Sequence, residues 1–107
     1  MNEKLLELMS VPIDKYEDIQ NIVVAYDDGV ALTIAIEELA ELIQSLTKYK
    51  RYGWSLKTVE NINEEVADVL ICLTELYASG LINTDCVQAI QKYKIDRELG
   101  RIKKEAR

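Results

Sequence analysis

Five acidic residues fall into two groups whose spacing is suited to holding a metal ion. The first group is Glu37, Glu38 and Glu41 in the segment AIEELAEL, and the second is Glu65 and Asp68 in NEEVADVL. Residues three apart share one face of an α-helix, so Glu38 projects with Glu41, and Glu65 projects with Asp68. Carboxylates that meet on neighbouring helices repel one another strongly where the dielectric is low, and a bound cation relieves that repulsion.

The residue types in the chain narrow the kind of metal. Di-iron helical bundles combine Glu with His, and structural zinc sites use Cys or His. The sequence contains no His, and its two cysteines, Cys72 and Cys86, do not form a CxxC pair. A site built from carboxylate oxygens alone favours Mg²⁺, Mn²⁺ or Ca²⁺, and Mg²⁺ commonly acts together with the phosphate groups of a substrate.

The same acids have a simpler interpretation as the solvated face of two helices, because Glu is a strong helix former. Two observations weigh against it. Both groups border the apolar stripe of their helix, and no basic residue stands four positions after Glu38 or Glu65. The spacing alone leaves both interpretations open.

The elements that must position these acids are helices joined by short loops. A single Pro and four Gly among 107 residues, of which 49% are apolar, favour an all-α protein with one domain, residues 1–107. We predict helices at about 3–9, 15–26 and 30–51. Another is expected to be capped by Ser55, Thr58 or Asn61 and to end near Ser79, and a last one to be capped by Asn83 or Thr84. On the helix of the first acidic group, the apolar stripe expected to face the core is Ala35, Leu39, Leu42, Ile43 and Leu46.

Charge is distributed unevenly along the chain. The net charge of −6 argues against a nucleic-acid-binding module. Between positions 91 and 107, however, the chain has seven basic residues and only three acidic ones. Lys94 and Arg97 lie on one face of that predicted helix, where they could meet phosphate oxygens. The alternative is that these cations only complement the helix dipole and keep the terminus soluble.

We expect a cytoplasmic protein with no membrane partner. The segment MNEKLLELMS has no apolar run of signal-peptide length, and no later stretch approaches the roughly 20 apolar residues that span a bilayer. Two isolated cysteines also suit a reducing compartment.

The pattern Glu37-Glu38-x-x-Glu41, followed after 23 residues by Glu65-x-x-Asp68, resembles the EExxE…ExxD signature of the MazG-like, all-α nucleoside triphosphate pyrophosphohydrolases. The similarity extends over about residues 27–101. It implies a four- to five-helix bundle that cleaves a (d)NTP into (d)NMP and pyrophosphate, as enzymes that clean the nucleotide pool do. Family members of this length are expected to form homodimers or homotetramers.

The resemblance also implies roles for individual residues. Mg²⁺, with Mn²⁺ as a possible substitute, would be held by Glu38, Glu41, Glu65 and Asp68, while Glu37 would support the ligands or a water molecule. Glu37 and Glu38 are the expected catalytic residues. The residues expected to contact the substrate are Lys48, Arg51, Asn61, Lys94 and Arg97.

Two other functions remain open at this point. The second motif and its continuation LYASGL are also similar to phosphoribosyl-ATP pyrophosphohydrolase, which would change the substrate but keep the metal chemistry. A non-enzymatic helical module for interaction or regulation would make the acids part of the surface only. Unchanged stability in Mg²⁺ and in Glu38→Gln would favour that module.

Overall fold

The computed structural model describes residues 11–106, which are almost entirely helical. A short 3₁₀ turn, Ile13–Lys15, precedes four α-helices: α1 (Tyr16–Ala25), α2 (Asp28–Tyr52), α3 (Leu56–Ala78) and α4 (Thr84–Glu105). No strand occurs among the described residues, so the predicted all-α class is confirmed. The predicted helix at 3–9 lies outside the described residues.

Side-chain caps set the starts of the three long helices. Val30 N donates to the Asp27 carboxylate at the start of α2, at 2.8 Å, and Cys86 N donates to the Asn83 side chain at the start of α4, at 3.0 Å. Ser55 begins α3 in a reciprocal arrangement: Thr58 N donates to Ser55 Oγ at 3.0 Å, and Ser55 N donates to Thr58 Oγ1 at 2.9 Å. These bonds satisfy amide groups that have no partner within the helix.

A tight connection joins α2 to α3. Gly53, with φ of 77°, follows the last residue of α2, and its amide donates to Tyr49 O at 2.8 Å. That left-handed conformation favours glycine, which has no Cβ to clash. The chain then reverses, and α2 packs along α3 in the most extensive helix contact of the molecule, while α1 packs against α3.

The face of α2 that packs inward differs in part from the predicted one. Ala35 of the expected apolar stripe is buried, whereas Ile43 and Leu46 are half exposed or more, and Ala31 and Ser45, outside that stripe, are buried. Small side chains let the two helix backbones approach closely, and the Ser45 hydroxyl is satisfied because it donates to Leu42 O at 2.8 Å. As a result, the face that carries Glu38 lies against α3, and the larger apolar side chains point outward.

Two small apolar clusters form the core on either side of α3. The first consists of Val11 and Ile19 with part-buried residues around them, and the second consists of Ala35, Cys72 and Leu76. Ile82, in the connection before α4, packs against both clusters. The core therefore holds α1, α2 and α3 together and ends where α4 begins.

Helix α4 extends away from this three-helix body. It makes only sparse contact with any other described element, and Ile95, Leu99 and Ile102, its predicted apolar side, are each more than half exposed.

Among residues 11–106, no single helix is long and apolar enough to cross a membrane. The segments Ile13–Ala25 and Gly29–Tyr52, which are separated by a sharp bend, are long and apolar enough only when they are taken together.

Candidate metal centre

The packing of α2 on α3 brings three of the four predicted ligands together. Carboxylate oxygens of Glu38, Glu65 and Asp68 all lie within 4.8 Å of one another. Glu38 comes from α2, and the other two come from successive turns of α3. One metal ion could therefore contact all three side chains, a grouping that the helical spacing predicted.

The fourth predicted ligand, Glu41, lies beside this group. After desolvation, the charge of Glu41 is the main cause that raises the pKa of Glu65, and it also contributes to the raised pKa of Glu38. Carboxylates this close disfavour one another's ionisation, and a proton or a cation relieves that repulsion. Glu41 is exposed, which leaves its side chain room to move toward a bound ion.

Two oxygens of the group are buried without a donor. Glu38 Oε2 and Glu65 Oε2 have no hydrogen-bond partner among the described residues. Desolvation raises the pKa of Glu38, and the neighbouring charges of Asp68, Glu41 and Glu65 raise it further. Desolvation likewise raises the pKa of Glu65, with Glu41 as the next cause.

Among residues 11–106, no basic side chain is found in an ion pair with these acids. Lys15 pairs with Asp18 and Arg101 with Glu98, both exposed and between residues three apart in the chain. Oxygen-only donors, two of them buried and unpartnered, fit a hard divalent cation such as Mg²⁺ or Mn²⁺. A group of this kind is costly to keep without a cation, because each charge disfavours ionisation of the others.

Glu37 is placed apart from this centre. It is exposed and lines a shallow cleft with Asp27 and Thr33 near the start of α2. Adjacent residues diverge by about 100° around a helix axis, which explains why Glu37 and Glu38 face different surroundings. A supporting role for Glu37 stays a prediction.

A larger cleft lies where α2 ends and α3 begins. It has a volume of about 490 Å³, and its walls include Lys48 and Asn61, two of the predicted substrate contacts, together with Tyr52. Lys48 stands seven residues after Glu41, and Asn61 stands four before Glu65, so both lie on the same helix faces as the acids. The sequence did not indicate that Lys57 and Thr58 also line this cleft.

The other predicted cations lie farther from the acids. Arg51 is exposed, and its guanidinium carbon lies 5.9 Å from the centre of the Tyr52 ring. On α4, Arg97 is similarly placed over Tyr93 at 5.7 Å, and Lys94 is exposed. Because α4 extends away from the body, the structure does not bring Lys94 or Arg97 to the acids of their own chain.

A second cleft, of about 250 Å³, reaches the acids from the opposite direction. Glu38 and Asp68 form part of its wall, and Tyr26 and Glu75 form another part. Sequence reasoning missed the last two residues. Glu75 stands seven positions after Asp68, two helical turns along the same face, and that spacing could have indicated it.

The chain matches no protein-family model, and no curated protein or solved structure is significantly similar to it. The description of the site therefore depends on its own residues. They form a group of carboxylates between two helices that could hold a cation, with a lysine-bearing cleft on one side and a smaller cleft, lined by isoleucines, Tyr26 and three carboxylates, on the other.

Proposed function

We propose that this protein is a Mg²⁺-dependent nucleoside triphosphate pyrophosphohydrolase that converts (d)NTP and water into (d)NMP and pyrophosphate. Mn²⁺ would substitute for Mg²⁺. The observation that carries the proposal is the group of Glu38, Glu65 and Asp68, which has two unpartnered buried oxygens and no cation beside it among the described residues. Such a site gains most from an ion that arrives with a polyphosphate.

The carboxylates have two tasks in this reaction. Glu38, Glu65 and Asp68 hold the ion, with Glu41 beside Glu65 as the expected fourth ligand. When bound, the ion neutralises charge on the phosphate oxygens. Glu38, one of the two expected catalytic residues, is our candidate to take the proton from the attacking water. The water oxygen bonds to the α-phosphorus, and the bond to the bridging oxygen of pyrophosphate breaks.

We assign the larger cleft to the leaving pyrophosphate. Lys48 provides a positive charge and Asn61 an amide, both on the helix faces that carry the acids. Lys57 offsets part of the charge of Glu60 and Glu64 in the same wall. An ammonium group near the β- and γ-phosphates stabilises charge on the leaving group. We therefore assign Lys48 and Asn61 to phosphate binding.

The outer face of α2 supports a homo-oligomer. Apolar side chains follow one another at alternating intervals of four and three residues, the spacing of a coiled-coil seam. They are exposed by between 41% and 64% in the single chain, and we call them the outer stripe: Leu32, Ile36, Leu39, Ile43 and Leu46. A second copy would cover this stripe by packing its own stripe against it, in a homodimer or a tetramer of two such dimers.

The test is a product assay with a panel of NTPs, dNTPs and phosphoribosyl-ATP, each with Mg²⁺, for the wild type and Glu38→Gln. We expect monophosphate and pyrophosphate from the wild type, and at least a hundredfold lower rate from the variant. Cleavage of phosphoribosyl-ATP alone would reassign the substrate. An absence of Mg²⁺-dependent product from every compound would overturn the proposal in favour of an interaction module.

A further inference from the structure

The smaller cleft shares two carboxylates with the candidate metal centre and continues into a different environment. Beyond Glu38 and Asp68, its wall is formed by Ile34 of α2, Ile71 of α3 and Tyr26 at the end of α1. Apolar side chains with one aromatic ring suit a planar, uncharged group more than a phosphate. A molecule held by its phosphates at the acids would extend its remaining part into this cleft.

One polar side chain inside this apolar cleft has no partner. Glu75 is 7% exposed and lines the cleft, and it makes no hydrogen bond or ion pair with any described residue. Burial raises the pKa of this carboxyl. A buried acid without a donor is unfavourable, and a ligand that supplies an N–H donor would offset that cost.

We propose that this cleft binds the base of the substrate nucleotide and that Glu75 determines base specificity by accepting a hydrogen bond from an exocyclic amino group. The inference depends on the proposed function, because it assumes that the phosphates of a nucleotide lie at the acids. Between bases that differ only in an amino or an oxo group at one ring position, it favours cytosine over uracil and adenine over hypoxanthine.

The size of the cleft fits a base and not a whole nucleotide. Its volume of about 250 Å³ is below the roughly 300–1,000 Å³ of pockets that enclose complete small ligands. Tyr26, about half exposed, has a ring face available for stacking, to which bases of every kind contribute. Stacking on Tyr26 therefore contributes to the affinity for every base. Discrimination between bases must come from the polar groups at the edge of the base.

The chemistry of the carboxylate explains the preference. Burial alone favours protonated Glu75, but an N–H donor in the cleft stabilises the ionised form, which accepts hydrogen bonds and donates none. Cytosine and adenine present an amino group to it, whereas uracil and hypoxanthine present a carbonyl oxygen at the same ring position. Two acceptors then face each other in a buried cleft, and a mismatch of this type costs roughly ten- to a hundredfold in binding.

Two nucleotide pairs that differ only at this group provide the assay. We would measure kcat/KM for CTP against UTP and for ATP against ITP, with Mg²⁺. The wild type should favour the amino member of each pair at least tenfold. In Glu75→Gln, whose amide both donates and accepts, both ratios should fall to about one, chiefly through a lower KM for UTP and ITP.

Two further variants separate specificity from structure. Tyr26→Leu should weaken all four substrates to a similar extent and leave both ratios unchanged, because stacking does not distinguish amino from oxo groups. Glu17→Gln, at an exposed acid of α1, should behave as the wild type. Melting curves confirm that each variant is folded.

Calorimetric binding of α,β-imido CTP and UTP, which are not cleaved at that bond, gives a readout that does not require turnover. A CTP preference that disappears in Glu75→Gln supports the assignment. Ratios that Glu75→Gln leaves unchanged, or a wild type that does not distinguish the members of either pair, overturn it while the enzymatic proposal stands. A wild type that cleaves no nucleotide overturns the proposed function first, and this inference with it.

Discussion

Glu38 on α2 and Asp68 on α3 have carboxylate oxygens within 4.8 Å of each other, and their charges repel when both are ionised. The contact occurs within the most extensive helix interface of the molecule, where an apolar pair would pack at lower cost. One turn away, desolvation and the charge of Glu41 raise the pKa of Glu65. The fold therefore keeps two pairs of acids in one helix interface. A bound cation can offset the negative charge of these pairs.

Magnesium should stabilise the folded protein. An ion that binds only the folded chain adds about 2.7 kcal/mol at a concentration a hundred times its Kd, which raises Tm by roughly 10 °C in a domain of this size. Glu38→Gln should abolish the shift, and Glu17→Gln should preserve it. Thermal scans in EDTA and in increasing MgCl₂ measure the effect. An equal shift in Glu38→Gln would place the ion elsewhere.

The pKa shifts predict an inverse relation between pH and stability in the metal-free protein. Glu65 has a raised pKa in the folded state, so the folded chain binds more protons than the unfolded chain between the ordinary and the raised values. Its contribution to stability is therefore present at low pH and is lost as pH rises through the folded pKa. In EDTA, Glu65→Gln should be more stable than the wild type at pH about 7 and should lose that advantage near pH 4.5.

Urea titrations of both proteins at several pH values test this relation. The difference in unfolding free energy between variant and wild type is the quantity to follow, because contributions from other groups cancel in it. Saturating Mg²⁺ should reverse its sign at neutral pH, since the variant loses a ligand. If this difference in unfolding free energy does not change with pH, a raised pKa of Glu65 in the folded protein is excluded.

The cap of α3 should contribute measurably to stability. Ser55 Oγ accepts from Thr58 N, and Thr58 Oγ1 accepts from Ser55 N, next to the turn that aligns α2 with α3. Ser55→Ala removes one of these bonds and should cost about 1 kcal/mol. Urea unfolding measures it, and Ser79→Ala, at a hydroxyl that bonds only to Leu76 O after α3 ends, is the matched control.

The sequence predicted these local features well because their causes are local. Ser55 and Asn83 were among the predicted caps, and the helix ends fall within a few residues of the expected positions. The grouping of Glu38, Glu65 and Asp68 followed from helical spacing and from the assumption that two consecutive helices pack side by side. Both the caps and the spacing of the acids within each helix depend on residues close together in the chain.

The packing face of α2 could not be predicted in the same way. Of the predicted inward stripe, Ala35 is buried, whereas Leu39, Ile43 and Leu46 are exposed. Close approach to α3 selected small residues, including Ala31 and Ser45, which the stripe did not contain. Which face a helix turns inward depends on the partner's shape, which helix-wheel patterns do not contain. The same limitation hid Tyr26, which meets the acids only through the packing of α1 on α3.

The outer stripe should hold two copies of the chain together. Ile36 and Ile43 are 60% and 64% exposed, and each contributes twice to a symmetric interface. A glutamate at either position would lose about 2–4 kcal/mol of apolar burial over the two copies, roughly a 30- to 700-fold loss in association. Sedimentation should show a dimer for the wild type and a monomer for Ile36→Glu and Ile43→Glu.

Val24→Glu is the matched control for the outer stripe. Val24 is 86% exposed but lies on α1, outside that stripe, so its substitution should leave the dimer intact. Dissociation by Val24→Glu as well would indicate that charge alone disrupts assembly. A monomeric wild type at micromolar concentration would exclude the stripe as a stable interface.

The position of α4 predicts which chain supplies its cations to each site. Arg97 is not brought to Glu38 of its own chain, because α4 extends away from the body. In a dimer we expect Arg97 to serve the partner's acids. Mixing inactive Glu38→Gln with inactive Arg97→Ala should then restore activity, since one site of each mixed dimer combines intact acids with an intact arginine.

When two equal populations mix at random, half of the dimers contain one chain of each variant. One of the two sites in each such dimer is complete, so the expected recovery is about a quarter of the wild-type rate. The control is a mixture of Glu38→Gln with Glu65→Gln. In this mixture every chain carries a substitution in its own acid group, so no mixed dimer contains an intact site. If Arg97 acts within its own chain, every site in the first mixture lacks one component, and the rate stays at the level of the separate variants.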